Sequence, residues 1–96
     1  MRVDGTKKLV DFWTIHADAR KKLEAWLSEV ENAEWTSPQD IKSKFPSASF
    51  PRKGKNTIVF NIKSYRLQVK IHFQLGIVVI NRIGTHKQYE KWTFDS

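Results

Sequence analysis

Apolar residues recur along this chain at two different periods, and the period changes near the middle. Between Thr6 and His16, Leu9, Val10, Phe12 and Trp13 fall at helical spacing. The Thr6 hydroxyl is expected to cap that helix by accepting a first-turn amide. From Asp18 to Asn32, Ala19, Leu23, Trp26, Leu27 and Val30 fall at i, i+4, i+7, i+8 and i+11, a single stripe opposite Lys21, Lys22, Glu24 and Glu29. Ser37-Pro38-Gln39-Asp40 predicts a third start, with Ser37 as cap and Pro38 at the first helical position, where a missing amide costs nothing. Ile41 and Phe45 are its expected buried pair. Pro46 disfavours helical geometry at Phe45 and ends the helix. A loop rich in Ser, Pro, Lys and Gly follows from Ser47 to Asn56.

The second half has period two. Thr57 to Ile62, Tyr65 to Phe73 and Ile77 to Ile83 are β-branched and aromatic runs separated by Lys63-Ser64 and by Gln74-Leu75-Gly76. Such short connections join antiparallel neighbours, because a parallel crossover needs about a dozen residues or more. Thr85, following Gly84, is placed to cap a last short helix through Trp92, and Met1 to Asp4 can add an edge strand. Helices first and a meander afterwards predict a single α+β domain over residues 1–96. The Trp26 stripe would cover one sheet face and leave the other to solvent.

Composition narrows the function. Of 96 residues, 40% are hydrophobic, enough for one small core and too few for a two-domain enzyme. Lys and Arg exceed Asp and Glu by 7, and the sequence pI is near 9.9, so polyanions are the expected partners. With no cysteine, disulfides, thiolate metal sites and thiol nucleophiles are excluded, and neither a metal nor a cofactor is expected. No apolar run is long enough to span a bilayer and the amino-terminal segment lacks a signal-peptide core, so no membrane contact and a cytoplasmic location are expected.

In the run Tyr65 to Phe73, Tyr65, Leu67, Val69, Ile71 and Phe73 alternate with Arg66, Gln68, Lys70 and His72. A solvated sheet face would account for polar residues there. The row has no carboxylate, however, and the preceding loop adds Arg52, Lys53 and Lys55. In Gly84-Thr85-His86-Lys87-Gln88-Tyr89, a helix begun at Thr85 puts His86 and Tyr89 on one face. Alone, His86 is as well explained as a surface histidine and Tyr89 as a core aromatic. Beside a cationic strand they supply what RNA cleavage without a metal requires: a base at the 2′-hydroxyl, an acid at the leaving 5′-oxygen and cations around the phosphorane. His16 reads as a packing or helix-ending residue, and His72 as peripheral, about 20 Å along the strand from Arg66. Trp13 and Trp26 read as core, while Trp35 and Trp92 stay open. Glycine-rich phosphate loops and HExxH spacings are absent.

These segments resemble a known family. Asp18-Ala19-Arg20, Leu23-Glu24-Ala25-Trp26, Phe45-Pro46-Ser47-Ala48, Val59-Phe60-Asn61-Ile62, Tyr65-Arg66-Leu67 and Gly84-Thr85-His86-x-x-Tyr89 are similar, in order, to the HigB toxins of type II toxin–antitoxin systems. The resemblance implies a RelE-like fold, with helices packed on one face of a small twisted antiparallel sheet. It implies an endoribonuclease acting on translated mRNA at the ribosome. It also implies a helix-turn-helix antitoxin of the HigA type, through which alone the toxin meets operator DNA. By that likeness Arg66 is the cation at the scissile phosphate, His86 and Tyr89 are the acid/base and orienting pair, and Asn61 lines the site. Strand geometry adds Lys70 and Arg82 as RNA contacts, and Lys53 and Lys55 join them from the loop. A basic RNA- or ribosome-binding module without catalysis, and a domain that binds an acidic protein, are the competing expectations.

Overall fold

The computed structural model describes residues 1–93. The chain runs β1 (Arg2–Asp4), α1 (Thr6–Ile15), a 3-10 turn (Ala17–Ala19), α2 (Arg20–Glu31), α3 (Pro38–Lys44), β2 (Thr57–Ile62), β3 (Tyr65–His72), β4 (Ile77–Thr85) and α4 (His86–Tyr89). The strands form one sheet in the order β1-β4-β3-β2, so the architecture is the expected α+β. β2, β3 and β4 are an antiparallel meander, and β1 pairs parallel to β4, which makes the sheet mixed.

One side of the sheet is apolar because the period-two residues of β2, β3 and β4 meet the helical stripes there. Ile58, Phe60, Leu67, Val69, Ile71, Val78 and Ile80 pack into one buried cluster with Leu9, Leu23, Trp26, Val30 and Ile41. The cross-strand pairs Ile58↔Val69, Phe60↔Leu67 and Ile62↔Tyr65 set the register, and a slip of one residue would turn them all to the other face. The Trp26 indole meets Phe60 edge-on, with ring centroids 5.4 Å apart.

Helix starts depart from expectation for local reasons. Thr6 does not cap α1. It is the first helical residue, and Gly5 precedes it at φ 90°. The chain must turn there against β4, where a Cβ on Gly5 would sit 3.1 Å from the Ile80 carbonyl oxygen. Gly5→Ala should therefore destabilise the fold by more than about 1 kcal/mol in chemical denaturation. The region from Asp18 is a 3-10 turn before α2 begins, and the Asp18 carboxylate leaves that helix to accept the Tyr65 hydroxyl at 2.7 Å. That bond, with burial second, raises the Tyr65 phenol above its ordinary pKa. Ser37 makes no side-chain cap on α3. Asp40 ties that end instead, accepting the Thr36 amide at 2.9 Å and hydroxyl at 3.1 Å, which holds its carboxyl below the ordinary value. His16 ends α1 as expected, stacked on Phe12 and tilted against Tyr65.

The opposite face is less open than expected. Thr57, Val59 and Gln68 all alternate toward it, yet each is buried. Residues Ser47 to Asn56 fold against the β2 edge, where Ser49 bridges Val59 with both amides bonded at 2.9 Å. The chain leaving β4 folds back over the other side through α4. Arg66, Asn61 and Lys70 are left between these two covers, half-buried or exposed.

Candidate active site

Arg66 is the second residue of the inner strand β3, paired with Asn61 on β2 and with Gly84 on β4. Gly84 is what admits α4 to this face. A Cβ there would come within 2.7 Å of Gln88 Oε1 and 3.2 Å of Trp92 Cζ2. The fold-back is fixed by a capping box. The Gln88 amide donates to Thr85 Oγ1 at 3.1 Å, and the Thr85 amide donates to Gln88 Oε1 at 2.8 Å. The helix ends at Tyr89 rather than at Trp92, and single turns carry the chain on, with the Trp92 amide bonded to the Tyr89 carbonyl at 3.0 Å.

One turn of helix is enough to bring the predicted groups together. The Tyr89 ring lies 5.8 Å from the Arg66 guanidinium carbon, and the His86 ring lies 5.9 Å from that of Tyr89. Arg66 spends one Nη1–H on its neighbour's carbonyl, Tyr65 O at 3.0 Å, and has no carboxylate partner among the described residues. His86 Nε2 stands 3.2 Å from Glu90 Oε1, so the acid one turn on orients the imidazole. A guanidinium, a phenol and an imidazole thus share one half-exposed surface, with the Asn61 amide across the strand pair.

Arg82 reaches this face because of a β-bulge. Gln68 pairs with Arg82 but Val69 pairs with Ile80, so Asn81 is an extra residue in β4. The bulge lets Ile80 and Ile83 both face the helices while Arg82 turns the other way. Lys8 steadies it, donating to the carbonyls of Ile80 at 3.3 Å and Asn81 at 3.0 Å. Arg82 Nε donates to Gln68 Oε1 at 2.6 Å, Nη2 donates to the Thr93 carbonyl at 2.9 Å, and the guanidinium lies 4.4 Å from the Trp92 ring. Trp92 in turn meets Tyr89 edge-on at 5.6 Å. The paired rings of Tyr89 and Trp92 therefore lie between Arg66 and Arg82, and each ring lies within the range of a cation–π contact.

The remaining predicted cations are not part of that group. Lys70 pairs with Thr57 and Val79, about 13 Å along β3 from Arg66. Lys53 and Lys55 precede β2 in the loop whose Asn56 carbonyl accepts the Ile71 amide, at the far end of β3 from Arg66. Gln68, Gln88, Glu90 and Trp92 were not anticipated at the site. For Gln88 a signal existed, since Thr85-His86-Lys87-Gln88 has the spacing of a capping box.

Among the described residues no helix is long and apolar enough to cross a membrane, and no group of three or more His, Asp or Glu side chains could hold a metal ion. A comparison with curated proteins finds no match. A family model does match, over residues 19–92, and that span carries α2, the whole meander and every member of the cation–aromatic group. The chain therefore belongs to the HigB toxin family, described as the RelE-like toxic component of a toxin-antitoxin system, and an antitoxin is its implied partner.

Proposed function

We propose that this toxin is an endoribonuclease that needs no metal, cuts translated mRNA at the ribosome and so halts translation. The observation that carries the reading is the convergence of Arg66, Tyr89 and His86 on one surface beside Asn61. In this reaction the substrate's own 2′-hydroxyl is the nucleophile. One member of the His86–Tyr89 pair takes its proton, the 2′-oxygen bonds to phosphorus, and the bond to the 5′-oxygen breaks as that oxygen receives a proton. The products are a 2′,3′-cyclic phosphate and a 5′-hydroxyl end. Arg66 offsets the charge that builds on the phosphorane, and Asn61 contacts the strand beside it. Arg82 and Lys70 extend the cationic surface along the RNA, with Lys53 and Lys55 beyond. A HigA-type helix-turn-helix antitoxin would silence the toxin and link it to operator DNA.

Inducing the chain without antitoxin should arrest growth and yield mRNA fragments with 5′-hydroxyl ends. Arrest with intact transcripts would instead show a binding module that blocks translation. Binding of short single-stranded RNA should weaken linearly in a double-logarithmic salt plot, and Lys70→Ala should lower the slope by about 0.7, one phosphate contact. Gly84→Ala should slow cleavage by up to about 100-fold while changing the melting temperature little, because a Cβ there meets Gln88 and Trp92 and so displaces α4, which carries Tyr89, without opening the core.

A further inference from the structure

The proposed chemistry leaves unused a pocket at the far end of β3. It has a volume of about 150 Å³, is walled by Phe50, Pro51, Ile71 and Phe73, and carries Lys55 and Asn56 on its lining with no carboxylate. Phe50 is 37% exposed, so an aromatic surface opens to solvent there. The volume is well below the roughly 300–1,000 Å³ of pockets for drug-sized ligands, which suits one planar ring.

Its polar groups are poised rather than spent. Asn56 is held at φ 61°, with its carbonyl accepting the Ile71 amide at 2.9 Å. Its side-chain amide has no hydrogen-bond partner among the described residues, leaving a donor and an acceptor that can pair with the edge of a base. Lys55 on the lining, and Arg52 and Lys53 before it in the loop, have no carboxylate partner among the described residues, so this end of the sheet favours a phosphate. A peptide strand is poorly served, because Ser49 already occupies the neighbouring edge of β2.

We propose that this pocket accepts one base of the RNA strand, upstream or downstream of the phosphate held at Arg66; this rests on the ribonuclease reading above. Ile71 stands five positions along β3 from Arg66, about 17 Å, and on the helix-facing side of the sheet, so the RNA would pass round the end of β3 to reach the pocket. The length along β3 alone is the rise of about five stacked nucleotides at 3.4 Å each, and the passage round the end of the sheet adds to it. Lys70, on the Arg66 face near that end, would hold a phosphate before the strand passes round it. The toxin then reads RNA at two places, at the cut and at a base some nucleotides away.

The test is a titration of the ¹⁵N-labelled full chain with AMP, GMP, CMP, UMP and ribose 5-phosphate. At least one nucleotide should shift the Asn56, Thr57 and Phe73 amides saturably, at least tenfold more tightly than ribose 5-phosphate. Asn56→Asp keeps the side-chain shape and tolerates positive φ, but removes the amide donor. It should weaken the preferred nucleotide about tenfold and leave distant amides in place. An equal response to ribose 5-phosphate, no response to any nucleotide, or an unchanged affinity in Asn56→Asp overturns the proposal. Cleavage on programmed ribosomes is scored separately. Cutting without nucleotide shifts overturns the base pocket alone, whereas nucleotide shifts without cutting overturn the ribonuclease and leave the pocket standing.

Discussion

Arg66→Ala is expected to lower the rate of RNA cleavage by about 10²–10³-fold and to leave the fold intact, as judged by single-turnover kinetics beside a thermal melt. The size follows from where the charge sits. In the transition state the phosphorane carries more negative charge on its oxygens than the ground-state diester does, so a fixed cation stabilises the transition state preferentially. Arg66 is held for that task by Tyr65 O on one side and the Tyr89 ring on the other, and no carboxylate among the described residues neutralises it. Its side chain lies on the face away from α1, α2 and α3, so truncation opens no cavity in the core. His86→Ala should slow the same step, by about 10²–10⁴-fold if the imidazole transfers a proton. A toxin in which both variants cut at the wild-type rate would remove these residues from the chemistry.

Leu67→Ala, one residue along the strand, should do the reverse. Leu67 is fully buried, pairs with Phe60 and Ile83, and lies within the cluster that joins the sheet to α2. Truncating it loses the transfer energy of the missing methyl groups and leaves a void, for a cost of about 2–5 kcal/mol. Against a typical total stability of about 5–15 kcal/mol, that is enough to leave a small domain partly unfolded at physiological temperature. Urea denaturation should show a lowered midpoint with little change in slope. What folded protein remains should bind RNA normally, since the Leu67 side chain points away from Arg66. Adjacent residues with opposite consequences, one kinetic and one thermodynamic, are what the period of a strand covered on one side predicts.

The parts of the fold that were legible are those fixed by local period. The Ala19 to Val30 stripe and the β2–β3–β4 meander hold because each repeats one spacing long enough to leave a single burial solution. What could not be read depended on contacts distant in sequence. The start of α1 is set by the crowding of Gly5 against Ile80, and the parallel pairing of β1 by where α1 and α2 return the chain. Partial covering of the second sheet face depends on α4 and on the Ser49 bridge, neither of which has a periodic signal.

At the site, alternation along β3 places Arg66, and the Thr85 capping box places His86 and Tyr89. Arg82 would face the helices by simple alternation with Val78 and Ile80, and only the extra residue at Asn81 turns it toward Gln68 and Trp92. The distance of Lys53 and Lys55 from Arg66 was recoverable in principle. A two-residue turn at Lys63-Ser64 forces Ile62 opposite Tyr65 and hence Thr57 opposite Lys70, which carries the loop before β2 to the far end of β3. That turn uses Lys63 at φ 54°, where glycine or asparagine is the usual choice, and its ammonium stands 3.9 Å from Asp18.

The most direct measurement replaces the ribose at the cut with deoxyribose in an mRNA positioned on purified ribosomes and adds the toxin. Cleavage of the all-ribose message to a 2′,3′-cyclic phosphate and a 5′-hydroxyl, abolished by that one missing oxygen and slowed by Arg66→Ala, is the predicted result. Equal cutting of both messages, or bound toxin that leaves both intact, would contradict it.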